Sequence, residues 1–324
     1  MNSLDLIQSP IIKELENFKD LYDCALLSDN PLFNNVVVHL KQRKGKMMRP
    51  ILVLLMAKLY GDVRIEAFYA AISLELLHTA SLLHDDVVDE SPERRGQQSV
   101  NAVFDNKIAI LTGDYLLAIC LAEARKTNNN DIIVTVLDLA RNLAGGELLQ
   151  LANLKNQFFS EKLYFDVIIK KTAVLFSACT KSAALSMKIT VDNVECSRLF
   201  GQYIGICFQI RDDIFGYFDN IEIGKPSGSD MLEGRLTLPA IYALNTFSDE
   251  RARSIALKVK NRAASTEEIN ELTEFVKRHD GIECAQRKMN DYRKKAIDML
   301  SRFPNTDVKA ALIEYANYVV EREI

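Results

Sequence analysis

No proline interrupts the chain between Pro92 and Pro226. A proline inside a helix removes a hydrogen bond and clashes with the preceding turn, at a cost of roughly 3 kcal/mol. A proline-free interval this long, rich in Ala and Leu, can therefore be almost wholly helix. Leu116, Ile119 and Cys120 stand at i, i+3 and i+4, as do Ile168, Lys171 and Thr172, so each set shares a helix face. Alternation of period two bounded by turn residues is missing, which argues against a sheet. Segments 50–59 and 65–90 read as long helices, apolar on most sides and suited to burial. "STEEI" from Ser265 is a capping box, with Glu268 three residues on. The helices beyond it become strongly charged, as an outer layer does. With no linker, repeat or low-complexity tract, the expectation is one all-α domain over residues 1–324 built from long helices.

Composition narrows the partners. The 324 residues are 48% hydrophobic and 26% charged, the balance of a folded globular chain. A formal net charge of -4 argues against nucleic acid as the main partner. An anionic ligand must then be met by local clusters of Lys and Arg. The six cysteines lie far apart without a C-x-x-C pair, and the first residues lack a basic region followed by an apolar one. No apolar run approaches the ~18 residues that span a bilayer. The thiols are expected to be reduced core residues of a cytoplasmic protein.

Two acidic clusters carry the chemistry. In "HDDVVDE", Asp85 and Asp89 are i, i+4 neighbours, and Asp86 precedes Asp89 by three. Three carboxylates this close repel one another unless a cation neutralises them, and hard oxygen ligands suit Mg²⁺, which bridges to substrate phosphates. A solvated helix end would also be acidic, but "LELLHTASLL" before the cluster is apolar nearly all round. A second pair, Asp212 and Asp213, closes the apolar run "GICFQIRDD", with Gln209 three and four residues upstream. Two buried helices ending in aspartates suggest facing walls of one cavity.

Basic residues stand close by in sequence. Arg94 and Arg95 follow the first cluster, and arginine grips phosphate oxygens with paired hydrogen bonds. "KGKMMRP" sets Lys44, Lys46 and Arg49 before a helix beginning near Pro50, whose free N–H groups add positive potential. A solvated basic loop would read the same way. His78 lies two turns before Asp85 on roughly the same face, where a buried core histidine is the ordinary alternative. Lys171 and Thr172 lie in "KKTAVLF", and Lys225 in the glycine-bearing "IGKPSGSDMLEGRLTLP", a loop able to close over a bound anion.

Assembled, these segments resemble the trans-isoprenyl diphosphate synthase (polyprenyl synthetase) family. "LLHDDVVDESPERRG" is similar to its first aspartate-rich motif, "FQIRDDIFGY" to its second, "GKPSGSDMLEGRLTLP" to the following loop, and "KGKMMRP" to its G-K-x-x-R-P segment. The resemblance implies an all-α bundle around a central cavity and a Mg²⁺-dependent 1'-4 condensation of isopentenyl diphosphate onto an allylic diphosphate, farnesyl or geranyl. On this reading Asp85, Asp86, Asp89 and Asp212 carry the metals that hold the allylic diphosphate, assisted by Arg94, Lys171 and Lys225. Lys46, Arg49, His78 and Arg95 hold isopentenyl diphosphate, with Arg235 a further cation. Gln209 and Asp213 support the metal site, and the dipoles of Thr172 and Gln209 stabilise the carbocation. The departing diphosphate is the implied proton acceptor. A homodimer through the apolar 102–122 helix is implied too, with transient membrane contact when product leaves.

The chain departs from the pattern in three places. Gly216 stands where the second motif has its third aspartate, Lys44 replaces a glycine, and Arg235 replaces a lysine. Four and five residues before Asp85, where bulky aromatics block the product tunnel in short-chain members, stand the small Ser81 and Ala80, with Leu77 a turn further back. Each helical turn rises about 5.4 Å, roughly one isoprene unit. The expected product is medium to long, near octaprenyl, for a quinone side chain. A terpene cyclase and a non-catalytic subunit of a heteromeric synthase are the alternatives: the first leaves Lys46, Arg49 and Arg95 without a purpose, and Gly216 favours the second.

Overall fold

The computed structural model describes residues 2–42, 45–94, 96–154, 158–218 and 227–322 (backbone only at 153 and 154). In chain order the helices are α1 (Ser3–Gln8), α2 (Ile12–Ala25), α3 (Pro31–Lys41), α4 (Met48–Leu59), α5 (Ile65–Val88), α6 (Val100–Val103), α7 (Asn106–Lys126), α8 (Asn130–Leu154) and α9 (Glu161–Ile168). A widened π-helical turn, Ile169–Ala173, joins α9 to α10 (Val174–Ser186). There follow α11 (Val191–Phe215), α12 (Ser229–Leu232), α13 (Leu238–Thr246), α14 (Glu250–Lys260), α15 (Thr266–Arg278), α16 (Gly281–Met299) and α17 (Asp307–Glu321). The all-α expectation holds. One correction is a two-residue hairpin, β1 (Glu93–Arg94) against β2 (Gln97–Gln98), turned at Gly96 with φ of 71°, a conformation that glycine reaches without a Cβ penalty. Another is the helix expected over 102–122. It breaks at Asp105, whose φ of 142° ends α6 and whose carboxylate caps the Ile108 N–H at the start of α7.

The chain divides into two compact units. The first comprises Met1–Arg141, Leu175–Gly201 and Met299–Tyr315. Here α5 packs chiefly along α7, and also against α4 and α2. Its apolar residues recur on almost every side, so Ala70, Ile72, Leu74, Leu76, Leu77 and Ala80 are all buried. Each buried leucine contributes about 1.5–3 kcal/mol. The buried Ser73 hydroxyl donates to the Cys120 carbonyl at 3.0 Å, which ties α5 to α7 without an unsatisfied group. At the start of α4, Met47 takes a left-handed φ of 48° and no side chain caps the first turn, while the Tyr315 hydroxyl donates to the Met48 carbonyl at 3.0 Å.

The second unit comprises Asn142–Val174, Gln202–Asp298 and Ala316–Ile324. In it α13 packs on α15 and α9, and α14 on α15, around Ile241, Leu244, Ile255, Val259, Leu272 and Val276. The expected capping box opens α15: Ser265 Oγ accepts from the Glu268 N–H at 3.3 Å, and Glu268 Oε2 from the Ser265 N–H at 3.2 Å. Among the described residues no helix is long and apolar enough to cross a membrane.

Candidate active site

In the first unit, α5 is buried along its length and delivers its charges only at its end. Asp85 is half-buried, Asp86 is buried at 1% exposure, and Asp89, the residue that caps the helix, is exposed. The Asp89 N–H donates to the Asp85 carbonyl at 2.8 Å, which keeps the two carboxylates one turn apart on a common face. Chain reversal after α5 is fixed by the Ser91 N–H on the Asp86 carbonyl at 2.9 Å and the Ser99 hydroxyl on the Ser91 carbonyl at 2.7 Å. The hairpin then brings Arg94 back, and its Nε donates to Asp86 Oδ1 at 2.5 Å. Asp86 thus has a cation already beside it, whereas Asp89 opens to solvent.

The other first-unit candidates are more dispersed. Lys46 is exposed and precedes α4. Arg49 lies in the first turn of α4, its guanidinium carbon 5.4 Å from the centre of the Phe176 ring and its buried Nε without a hydrogen-bond partner. His78 is half-buried on α5, and its carbonyl accepts from the Ser81 hydroxyl at 2.9 Å. Leu77 and Ala80 are buried and Ser81 is half-buried. Of the candidates in either unit, Lys44, Arg95 and Lys225 lie outside the described residues.

The second unit brings its candidates together. The Thr172 hydroxyl donates to Gln209 Oε1 at 2.6 Å, and Gln209 Nε2 donates to Asp213 Oδ1 at 2.8 Å. The other Asp213 oxygen accepts from the Tyr164 hydroxyl at 2.5 Å. Thr172 and Lys171 lie in the π-helical turn, a local widening common at functional sites. There α8 approaches so closely that a Cβ on Gly146 would come within 3.0 Å of the Lys171 amide nitrogen. One residue along α8, Glu147 Oε1 stands 2.5 Å from Lys171 Nζ. Asp213 is fully enclosed. Burial, then the negative charge of Asp230, pushes its carboxyl up to about 8, against the pull of the Tyr164 and Gln209 hydrogen bonds. Asp212 is partly exposed and accepts from Arg322.

Tyr164, Lys171, Thr172, Gln209 and Asp213 line one cavity with Asp230 and Arg235, whose guanidinium donates to Asp230 Oδ1 at 2.9 Å; Asp212 is not among the lining residues. The same wall includes the buried Lys260, which donates to the Phe158 carbonyl at 3.2 Å and whose ammonium burial pulls below its ordinary pKa. Carboxylates beside lysine and arginine can bind an anion through a metal and directly. The hydroxyl–amide chain presents neutral dipoles, which can face a developing cation without attacking it.

Four partners went unread in the sequence: Glu147, Tyr164, Asp230 and Arg322. The glycine pair before Glu147 and the place of Asp230 inside "GSDMLEGR" were signals. Nothing in the sequence marks Tyr164 or Arg322.

Among the described residues no three His, Cys, Asp or Glu side chains converge into a metal cage. Mg²⁺ does not need one. It keeps waters and takes one or two carboxylates together with substrate phosphates. Asp85 with Asp89 on one helix face, and Asp212 on another helix, are donors of that kind.

Comparison with known proteins agrees with this chemistry. Residues 30–276 match the polyprenyl synthetase family. The chain is 32% identical over 321 residues to the octaprenyl diphosphate synthase of Haemophilus influenzae, covering 99% of this chain and 97% of that one. It is similar to the crystal structure of geranylgeranyl pyrophosphate synthase from Bacteroides thetaiotaomicron, with 52% identity, a TM-score of 0.88 and coverage of 99% and 100%. The polyprenyl synthase of Caulobacter crescentus CB15, complexed with calcium and isoprenyl diphosphate, superposes with a TM-score of 0.91 at 29% identity, covering 98% of each chain. The chain belongs to the polyprenyl synthetase family, and is by that membership a prenyltransferase of the polyprenyl diphosphate synthase type.

Proposed function

We propose that the protein catalyses the Mg²⁺-dependent 1'-4 condensation of isopentenyl diphosphate onto an allylic diphosphate, repeated to build an all-trans product. The observation that carries this reading is the second-unit cavity, where Asp213 and Asp230 stand with Lys171, Arg235 and the Thr172–Gln209 pair. Breaking the allylic C–O bond separates a carbocation from a highly charged leaving group. When bound, Mg²⁺ neutralises that leaving group. Asp85, Asp89 and Asp212 would hold the metal, and Arg94, Lys171, Lys225 and Arg235 would carry the remaining charge. Asp86, with Arg94 on it, and Asp213, with Gln209 on it, hold the ligating carboxylates in place. Thr172 and Gln209 turn their dipoles toward the cation. Lys46, Arg49, His78 and Arg95 bind isopentenyl diphosphate, and the whole chain acts as one catalytic domain.

The small Ala80 and Ser81 support a product near octaprenyl, the length named for the Haemophilus influenzae relative. A shorter geranylgeranyl product is the second reading, favoured by the name of the Bacteroides thetaiotaomicron structure at 52% identity. Leu111, 66% exposed, with Tyr115 and Leu121 along α7, supports a homodimer through that helix. We place the protein in the cytoplasm, with transient membrane contact when its product leaves.

The test incubates the purified chain with farnesyl diphosphate, isopentenyl diphosphate and Mg²⁺. Mass spectrometry should find products growing by one isoprene unit at a time, abolished by EDTA. A chain that elongates nothing alone would defeat the proposal, and the final mass separates octaprenyl from geranylgeranyl.

A further inference from the structure

Among the described residues, the cations that line the second-unit cavity are Lys171, Arg235 and Lys260. Two of them already have carboxylates. Lys171 Nζ stands 2.5 Å from Glu147 Oε1, and Arg235 pairs with Asp230 at 2.9 Å and with Glu233. Lys260, the last residue of α14, is buried at 8% exposure, and among the described residues no carboxylate pairs with it. Lysine is almost never buried unless paired, because an ammonium taken from water without a counter-charge is costly. Burial accordingly pulls its pKa down, and no negative charge draws it back. Its ammonium has three N–H donors, and the Phe158 carbonyl at 3.2 Å takes one.

Holding that carbonyl does not account for a charge. The next carbonyl, of Phe159, accepts from Asn245 Nδ2 at 2.7 Å, so α13 secures the same segment with a neutral amide. Phe158, Phe159 and Ser160 line the cavity together with Lys260, which puts the unmatched cation where a ligand arrives. We propose that Lys260 is a ligand for the diphosphate group that this cavity receives, carried on the allylic substrate or released as pyrophosphate. An entering polyanion must share Lys171 and Arg235 with the carboxylates they hold, whereas at Lys260 it supplies the first counter-charge. That attraction is strengthened by the low dielectric around a buried group. The cost of burying Lys260 in the empty protein is offset once the anion is bound.

This inference rests on the diphosphate reading above, so the experiment reads binding apart from turnover. Calorimetry measures the affinity for inorganic pyrophosphate, and separately for farnesyl diphosphate without isopentenyl diphosphate, both with Mg²⁺. Lys260→Met keeps the apolar stem and removes the charge. It should weaken pyrophosphate binding about tenfold or more, the scale of a hydrogen bond to a charged group. Lys260→Gln keeps a donor for the Phe158 carbonyl; it should lose as much, and it serves if the methionine variant does not fold. Asn245→Ala loosens the same segment without touching the charge and should bind like the wild type. Pyrophosphate should accordingly raise the melting temperature of the wild type and Asn245→Ala more than that of either Lys260 variant. Weakening toward both ligands assigns Lys260 to the substrate's diphosphate, and weakening toward pyrophosphate alone assigns it to the released product. The inference is overturned if the Lys260 variants bind both ligands like the wild type, or if Asn245→Ala loses as much affinity as they do. If the wild type binds neither ligand, the diphosphate reading of the cavity falls as well.

Discussion

Arg322 donates to Asp212 Oδ1 while its guanidinium carbon lies 3.9 Å from the centre of the Phe208 ring. Arg211 holds the Arg322 carbonyl through two N–H donors at 3.0 and 3.3 Å. A carboxylate assigned to a metal thus has a protein cation beside it, and a metal ion must displace or share that contact. The pair is partly open to solvent, so it contributes about 1 kcal/mol at most, worth about fivefold in affinity. Arg322→Gln should tighten Mn²⁺ binding in the absence of substrate by up to that factor. Unchanged or weaker binding would show that Arg322 does not compete with the metal.

Asp86 and Asp89 should respond differently to mutation, although the sequence presents them as equals. Asp86 is buried against Arg94, and removing one partner of a buried pair typically costs about 3–5 kcal/mol. Partial exposure of Arg94 places Asp86→Ala at the lower end. Asp89 is exposed, and Asp89→Ala should stay within about 0.5 kcal/mol of the wild type in stability while losing most of its turnover. Chemical denaturation and product assays on both variants measure the contrast.

Product length should follow the side chains before Asp85. Ser81→Phe, at a half-buried position, should shorten the product. Ala80→Phe enters a fully buried position, so it should also cost about 1–3 kcal/mol from overpacking. Product mass and thermal melting separate the two effects. An unchanged product from the folded double variant would remove these residues from the tunnel.

The thiols should fall into classes. Cys24 is exposed, while Cys120, Cys179 and Cys207 are buried, and burial pushes those three thiols up to about 11, 12 and 12. The thiolate is the reactive form. At pH 8 a disulfide reagent should modify Cys24 quickly, the part-buried Cys196 and Cys284 slowly, and the other three only after unfolding. Rapid modification of Cys179 in the native chain would contradict the packing around it.

What the sequence determined by itself was local. Helices, their caps and the placing of Asp85 and Asp89 on one face follow from spacing of three and four residues, because a helix satisfies its own backbone and repeats every 3.6 residues. The apolar run before Asp85 made α5 a buried helix that bears its charges at one end. Tertiary structure decided which distant side chains meet. Asp86 drew Arg94 through a hairpin too short to show alternation, and Lys171 met Glu147 because Gly146 lets α8 come close. The Asp230 carboxylate lies against Gly216, where its Oδ2 would meet a Cβ at 2.8 Å. Arg322 lies more than a hundred residues from Asp212, and no spacing rule reaches that far. Such pairs depend on where helices cross, and crossings are set by the summed packing of many side chains rather than by any motif.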